Sequence, residues 1–118
     1  VGEEFEVVGK RWASVITDGS TNTFVAGVDE TVMGYLVARL SQTKSGKIAT
    51  IEQVFVTKDA RNIGIGDALV SATIAWARTK SLVALDGFAL PGDRETKNLF
   101  ERSGLVARLI TVTTDLKN

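Results

Sequence analysis

Arg61, Gly64 and Gly66 sit where an apolar stretch, "IEQVFVTKDA", gives way to one with helical spacing, "IGDALVSATIAWA". A loop that feeds a helix at such a junction aims several unpaired backbone N–H groups at one spot. The helix dipole adds partial positive charge there, so an anion is welcome. Glycine removes the Cβ that would hold a phosphate oxygen away from the backbone. A tight strand-to-helix turn without a ligand fits the same residues. Two familiar phosphate loops are excluded. A P-loop needs Gly-Lys-Ser/Thr at its second glycine, and Gly66 is followed by Asp67 and Ala68; a dinucleotide fingerprint needs a third glycine where Leu69 stands.

Glu52 is the second residue with chemical promise, because it interrupts a run of Ile, Val and Phe. Strand alternation predicts Thr50, Glu52, Val54 and Val56 on one face. A carboxylate there is unexpected unless it meets water, a cation or a substrate. An alkylammonium has a pKa of about 10.4, so a carboxylate acting through water could bind it and relay its proton. A solvent-facing or salt-bridged glutamate is the alternative.

Composition removes other chemistries. With no histidine and no cysteine, a His/Cys metal site, a thiolate nucleophile and a Ser-His-Asp triad are all impossible, and no metal is expected. Fourteen basic and fourteen acidic residues cancel, which argues against a nucleic-acid binder. No apolar run approaches the roughly 20 residues of a spanning helix, and "VGEEFEVV" lacks a basic n-region, so no membrane association is expected. Hydrophobic content of 44% and charged content of 24% over 118 residues predict a soluble, cytoplasmic globular domain.

These residues need elements to hold them. Phe5, Val8, Trp12 and Ile16 recur at three- and four-residue spacing and predict a helix over 3–17 that "TDGSTN" ends at Gly19. "TFVAGV" and "TVMGYLVARL" predict a hairpin, and "KIATIEQVFV" a further strand after the turn "SQTKSG". A helix from Asp67 to Lys80 carries two apolar rows, Leu69, Thr73, Trp76 and Val70, Ile74, Ala77. "LVALDGFAL" reads as a strand buried on both faces. Asp93 fits the N-cap of a helix that runs through Ser103 and stops at Gly104, and "LVARLITVTTDL" closes the chain as a strand. The order α-β-β-β-α-β-α-β predicts an α/β domain over residues 1–118, a mixed sheet with flanking helices.

R-x-x-G-x-G after a strand with "VFV" resembles the acyl-coenzyme-A binding motif of the GNAT superfamily of N-acyltransferases. "DRETKNLFERSGL" independently resembles that superfamily's next helix, and the resemblance covers nearly the whole chain. It implies a GNAT-like fold that is N-terminally shortened, lacking the usual first strand and first helix. It also implies acetyl-CoA as co-substrate and an amine acceptor. In such a domain the strand matching "EQVFV" splays from its neighbour. The amide of Val54 would polarise the thioester carbonyl, and the backbone of Phe55 and Val56 would meet the pantetheine arm. Arg61, Asn62, Ile63, Gly64, Ile65 and Gly66 would cradle the pyrophosphate, and Asp67 would set a negative charge beside it. Glu52 would be the base.

The chain departs from the family pattern in two places. Phe100 stands where a tyrosine often donates the thiolate's proton, leaving Tyr35 as the only tyrosine. Asp93 stands where an asparagine often contacts the arm, with Asn98 nearby but off the motif position. The expected function is acetyl transfer from acetyl-CoA to a primary amine of a small molecule or protein. The alternative is a GNAT-like domain that binds acyl-CoA or a partner without turnover. A homodimer through Trp12 or the C-terminal strand is a further expectation.

Overall fold

The computed structural model describes residues 3–8, 11–60, 63–87 and 94–105. Its elements are β1 (Glu3–Val8), β2 (Arg11–Asp18), β3 (Thr21–Val28), β4 (Thr31–Thr43), β5 (Gly46–Val56), α1 (Ile65–Thr79), β6 (Ala84–Gly87) and α2 (Arg94–Arg102), with a 3₁₀ turn at Lys58–Ala60. The six strands lie side by side in chain order. The first five are antiparallel, and β6 joins β5 in parallel after the crossover through α1.

The helix expected over 3–17 is not formed; β1 and β2 occupy that stretch. The same three- and four-residue spacing is met by residues shared between two short strands. β2 runs in register with β3 from Arg11↔Val28 to Asp18↔Thr21, and its burial alternates, with Ala13 and Val15 inside. Val15, Ile16 and Thr17 are β-branched and suit a pleated surface better than a helix. The hairpin β3–β4, the strand β5 and the helix α1 form as expected. β6 is half-buried along its length, less covered than its apolar run predicted. Asp93 and the C-terminal strand lie outside the described residues.

The core lies between α1 and one face of the sheet. Trp76 of α1 meets Phe24 of β3 edge to face, with ring centroids 5.4 Å apart and an interplanar angle of 80°. Leu36, Ile51, Leu69 and Val70 are also fully enclosed. Thr73 keeps its place in the apolar row because its hydroxyl donates to the Leu69 carbonyl at 2.7 Å. Gly34 sets how closely α1 approaches β4. A Cβ there would stand 3.0 Å from Ile65 Cγ2, 3.2 Å from Leu69 Cδ1 and 2.8 Å from the Phe55 carbonyl oxygen. Among the described residues no helix precedes β5, so the sheet face opposite α1 carries exposed Ile16, Tyr35 and Phe55.

This division of the sheet gives a stability contrast. Leu36→Ala, at a fully buried position, should cost about 2–5 kcal/mol in urea unfolding, whereas Val32→Ala, 54% exposed, should stay within about 0.5 kcal/mol of wild type. Equal costs would contradict the assignment of the core to the α1 face.

Candidate functional site

Among the described residues, β5 and β6 keep company for four positions. Their described pairing runs from Ile48↔Ala84 to Ile51↔Gly87, and β5 continues from Glu52 to Val56 with no described neighbour on that side. A bulge marks the point of departure. Val37 of β4 pairs with Gln53 and Ala38 with Ile51, so Glu52 is an extra residue on β5. The phase of the strand reverses there. Ala49 and Ile51 face the core before the bulge, Val54 and Val56 pack against it afterwards, and Glu52 and Gln53 are both exposed. The expected single face of Thr50, Glu52, Val54 and Val56 is therefore split, because one inserted residue shifts a period of two by half.

The freed end of β5 forms one wall of a cleft of about 440 Å³. Val54, Phe55 and Val56 line it, with Gly66 and Asp67 from the first turn of α1. Glu95, Thr96, Asn98, Leu99 and Arg102 of α2 form the opposite wall. Gly64 caps α1 in the left-handed region, at φ 80° and ψ 18°, and among the described residues no side chain makes a capping hydrogen bond. Its carbonyl accepts the first helical bond from the Ala68 amide at 3.0 Å. The open N-terminus of α1 thus faces the cleft with its amides uncovered by any side-chain cap, which suits an anion.

The expected site residues divide into three groups. Val54, Phe55, Val56, Gly66, Asp67 and Asn98 share the cleft, and Ile63, Gly64 and Ile65 belong to the turn that opens α1. Arg61, Asn62 and Asp93 lie outside the described residues. Glu52, Tyr35 and Phe100 do not line the cleft. Glu52 is held by Arg39 of β4, whose Nε donates to Oε1 at 3.3 Å and Oε2 at 3.2 Å. With side chains 52% and 41% exposed, that pair orients the carboxylate more than it stabilises the fold. Tyr35 is on the sheet face away from α1, where its ring lies 5.6 Å from that of Phe55. Phe100 is buried, its ring against Gly87 at the end of β6.

Two cations at the site were not legible in the sequence. Arg11 of β2 reaches the turn before α1, where Nη1 donates to the Ile63 carbonyl at 3.3 Å and lies against Gly64. Arg102 pairs with Asp67, donating from Nε at 3.2 Å and Nη2 at 3.1 Å to Oδ1. Neither contact has a local sequence signal, since 52 and 35 positions separate the partners. Among the described residues no cluster of three or more His, Cys, Asp or Glu could hold a metal ion. Nor is any described helix long and apolar enough to cross a membrane.

Comparison with known proteins agrees with the fold. The chain is similar in fold to an aminoglycoside acetyltransferase from an uncultured soil metagenomic sample, with a TM-score of 0.72 and 18% identity, covering 86% of this chain and 69% of that one. A ribosomal-protein-alanine N-acetyltransferase from Brucella melitensis biovar Abortus 2308 gives a TM-score of 0.71 and 20% identity, over 84% and 72% of the two chains. AAC(6')-Iy, solved with the bisubstrate analogue CoA-S-monomethyl-acetylneamine, gives 0.68 and 18%, over 83% and 71%. No curated protein matches the sequence. The profile of the acetyltransferase (GNAT) family matches residues 3–105, and the chain belongs to that family.

Proposed function

We propose that the protein transfers an acetyl group from acetyl-CoA to a primary amine. The observation that carries this reading is the end of β5 at Val54–Val56, which has no described neighbour on the β6 side and lines the cleft beside the open N-terminus of α1. An acyl-CoA needs both features, unpaired backbone for the amide-bearing arm and a helix N-terminus for the pyrophosphate. The residues present fit it: Val54 and Val56 offer backbone to the arm, and Gly64, Ile65 and Gly66 at the start of α1 offer amides to the phosphates. Bound there, acetyl-CoA supplies an activated thioester.

The chain's own groups then have distinct tasks. The Val54 amide would stabilise negative charge on the carbonyl oxygen, a preorganised donor of the kind that contributes about 10²- to 10³-fold. Glu52, at the bulge and aimed at the uncovered sheet face, would bind an ammonium acceptor and take its proton through water. Arg39 would hold that carboxylate in place. Tyr35, two strand positions from the bulge's pairing site at Val37, carries the chain's one phenolic hydroxyl and would protonate the leaving thiolate. The acceptor's identity is open in this reading; aminoglycoside and protein-alanine acetyltransferases share the fold with it.

A second reading, binding of acyl-CoA without turnover, is favoured by two observations. Glu52 is already paired with Arg39, and Phe100 places a buried ring where a donor hydroxyl is expected. A transfer assay with acetyl-CoA and a set of simple amines separates the two readings. Acetylated product supports the enzyme, and tight binding with no product supports the alternative.

Two substitutions test the parts. Gly64→Val should cost about 1–3 kcal/mol in stability through backbone strain. Below its melting temperature it should still bind acetyl-CoA at least about tenfold more weakly, because its side chain would enter the cradle and meet Arg11. A folded variant that binds like wild type would reduce the loop to a turn. Glu52→Gln should lower turnover by about 10²- to 10⁴-fold and leave acetyl-CoA affinity unchanged. Undiminished turnover across a pH series would remove Glu52 from the mechanism.

A further inference from the structure

Asp67 and Arg102 face each other from opposite walls of the cleft. Asp67 stands in the first turn of α1, next to Gly66, and Arg102 in the last turn of α2. Both of Arg102's donated hydrogen bonds converge on one oxygen, Oδ1. That geometry leaves the guanidinium fork only half used, since two parallel bonds to two oxygens are the stronger arrangement. The side chains are 58% and 49% exposed, so water and salt screen the pair and opening it is easy. Among the described residues that line the cleft, Arg102 is the only cation, against Asp67 and Glu95.

We propose that this ion pair is an electrostatic latch on the cleft, which a phosphate anion opens by taking Arg102 as its own counter-ion. A pyrophosphate at the N-terminus of α1 presents more charge than a carboxylate and two oxygens side by side for the fork. It also stands beside Asp67, whose carboxylate repels it. The two partners of one ion pair therefore act with opposite sign on the ligand, Arg102 for binding and Asp67 against it. The inference rests on the acyl-CoA reading for the identity of the ligand, but its charge logic applies to pyrophosphate alone. A purely structural bridge between α1 and α2 would behave differently, because losing either partner would loosen the same contact.

The test compares wild type, Asp67→Asn and Arg102→Gln, titrated calorimetrically with inorganic pyrophosphate and with acetyl-CoA. Melting curves check that each is folded, and Arg102→Lys retains the charge should Arg102→Gln fold poorly. Asp67→Asn should tighten both ligands by about three- to tenfold and Arg102→Gln should weaken both by a similar factor, the size of one exposed charge a few ångström away. Arg102→Lys should retain most of the wild-type affinity. Shifts in the same direction, or none, for variants that bind acetyl-CoA would overturn the latch and leave the proposed function standing. Opposite shifts with pyrophosphate but no binding of acetyl-CoA would uphold the latch and overturn the proposed function. Failure of all three proteins to bind either probe would overturn both.

Discussion

A strand that loses its neighbour partway along must satisfy its backbone some other way, and the site depends on that requirement. Among the described residues β5 is paired on both sides from Ile48 to Ile51 and on the β4 side alone from Gln53 onward. Buried amides and carbonyls left without partners are costly, so the free end of β5 has to meet water or a ligand. The Glu52 bulge accompanies this change. It turns Val54 and Val56 toward the core while their neighbours Gln53 and Phe55 face outward, which leaves main-chain groups at the cleft and side chains on either side of the sheet.

The remainder of the fold holds the other wall at the right distance. Trp76 against Phe24 anchors the C-terminal end of α1, and Gly34 lets Ile65 and Leu69 settle directly on β4. The N-terminus of α1 is thereby brought beside the end of β5. Gly66 lies under Leu99 of α2, whose Cδ2 would be 3.3 Å from a Cβ at that position, so the two helices close on each other at the cleft. In the cleft Arg102 pairs with Asp67 at 3.1 Å, and elsewhere on α2 Lys97 pairs with Glu101 at 2.9 Å.

Much of this was legible in the sequence, and the reasons are local. Gly64 and Gly66 between an apolar strand and an amphipathic helix announce the turn, and the structure gives Gly64 the positive φ that glycine alone adopts freely. β3, β4, β5 and α1 follow from alternation and helical spacing over stretches long enough to distinguish the two. What was not legible depends on contacts between distant residues. The helix expected over 3–17 failed because four apolar residues at helical spacing can also be dealt out to two strands, and only pairing with β3 decides. The bulge at Glu52 is invisible without the register against β4, and with it went the supposed common face of Glu52 and Val54. Arg11, Arg39 and Arg102 are ordinary surface cations until the fold brings each to its partner.

Hydrogen–deuterium exchange with and without acetyl-CoA reads directly the backbone groups proposed to hold the ligand. Slower exchange is predicted in peptides that cover Gln53–Val56 and Ile63–Asp67, with peptides from β2 and β3 unchanged. Binding that protects neither segment, or protects the sheet face around Tyr35 alone, would contradict the assignment of the cleft.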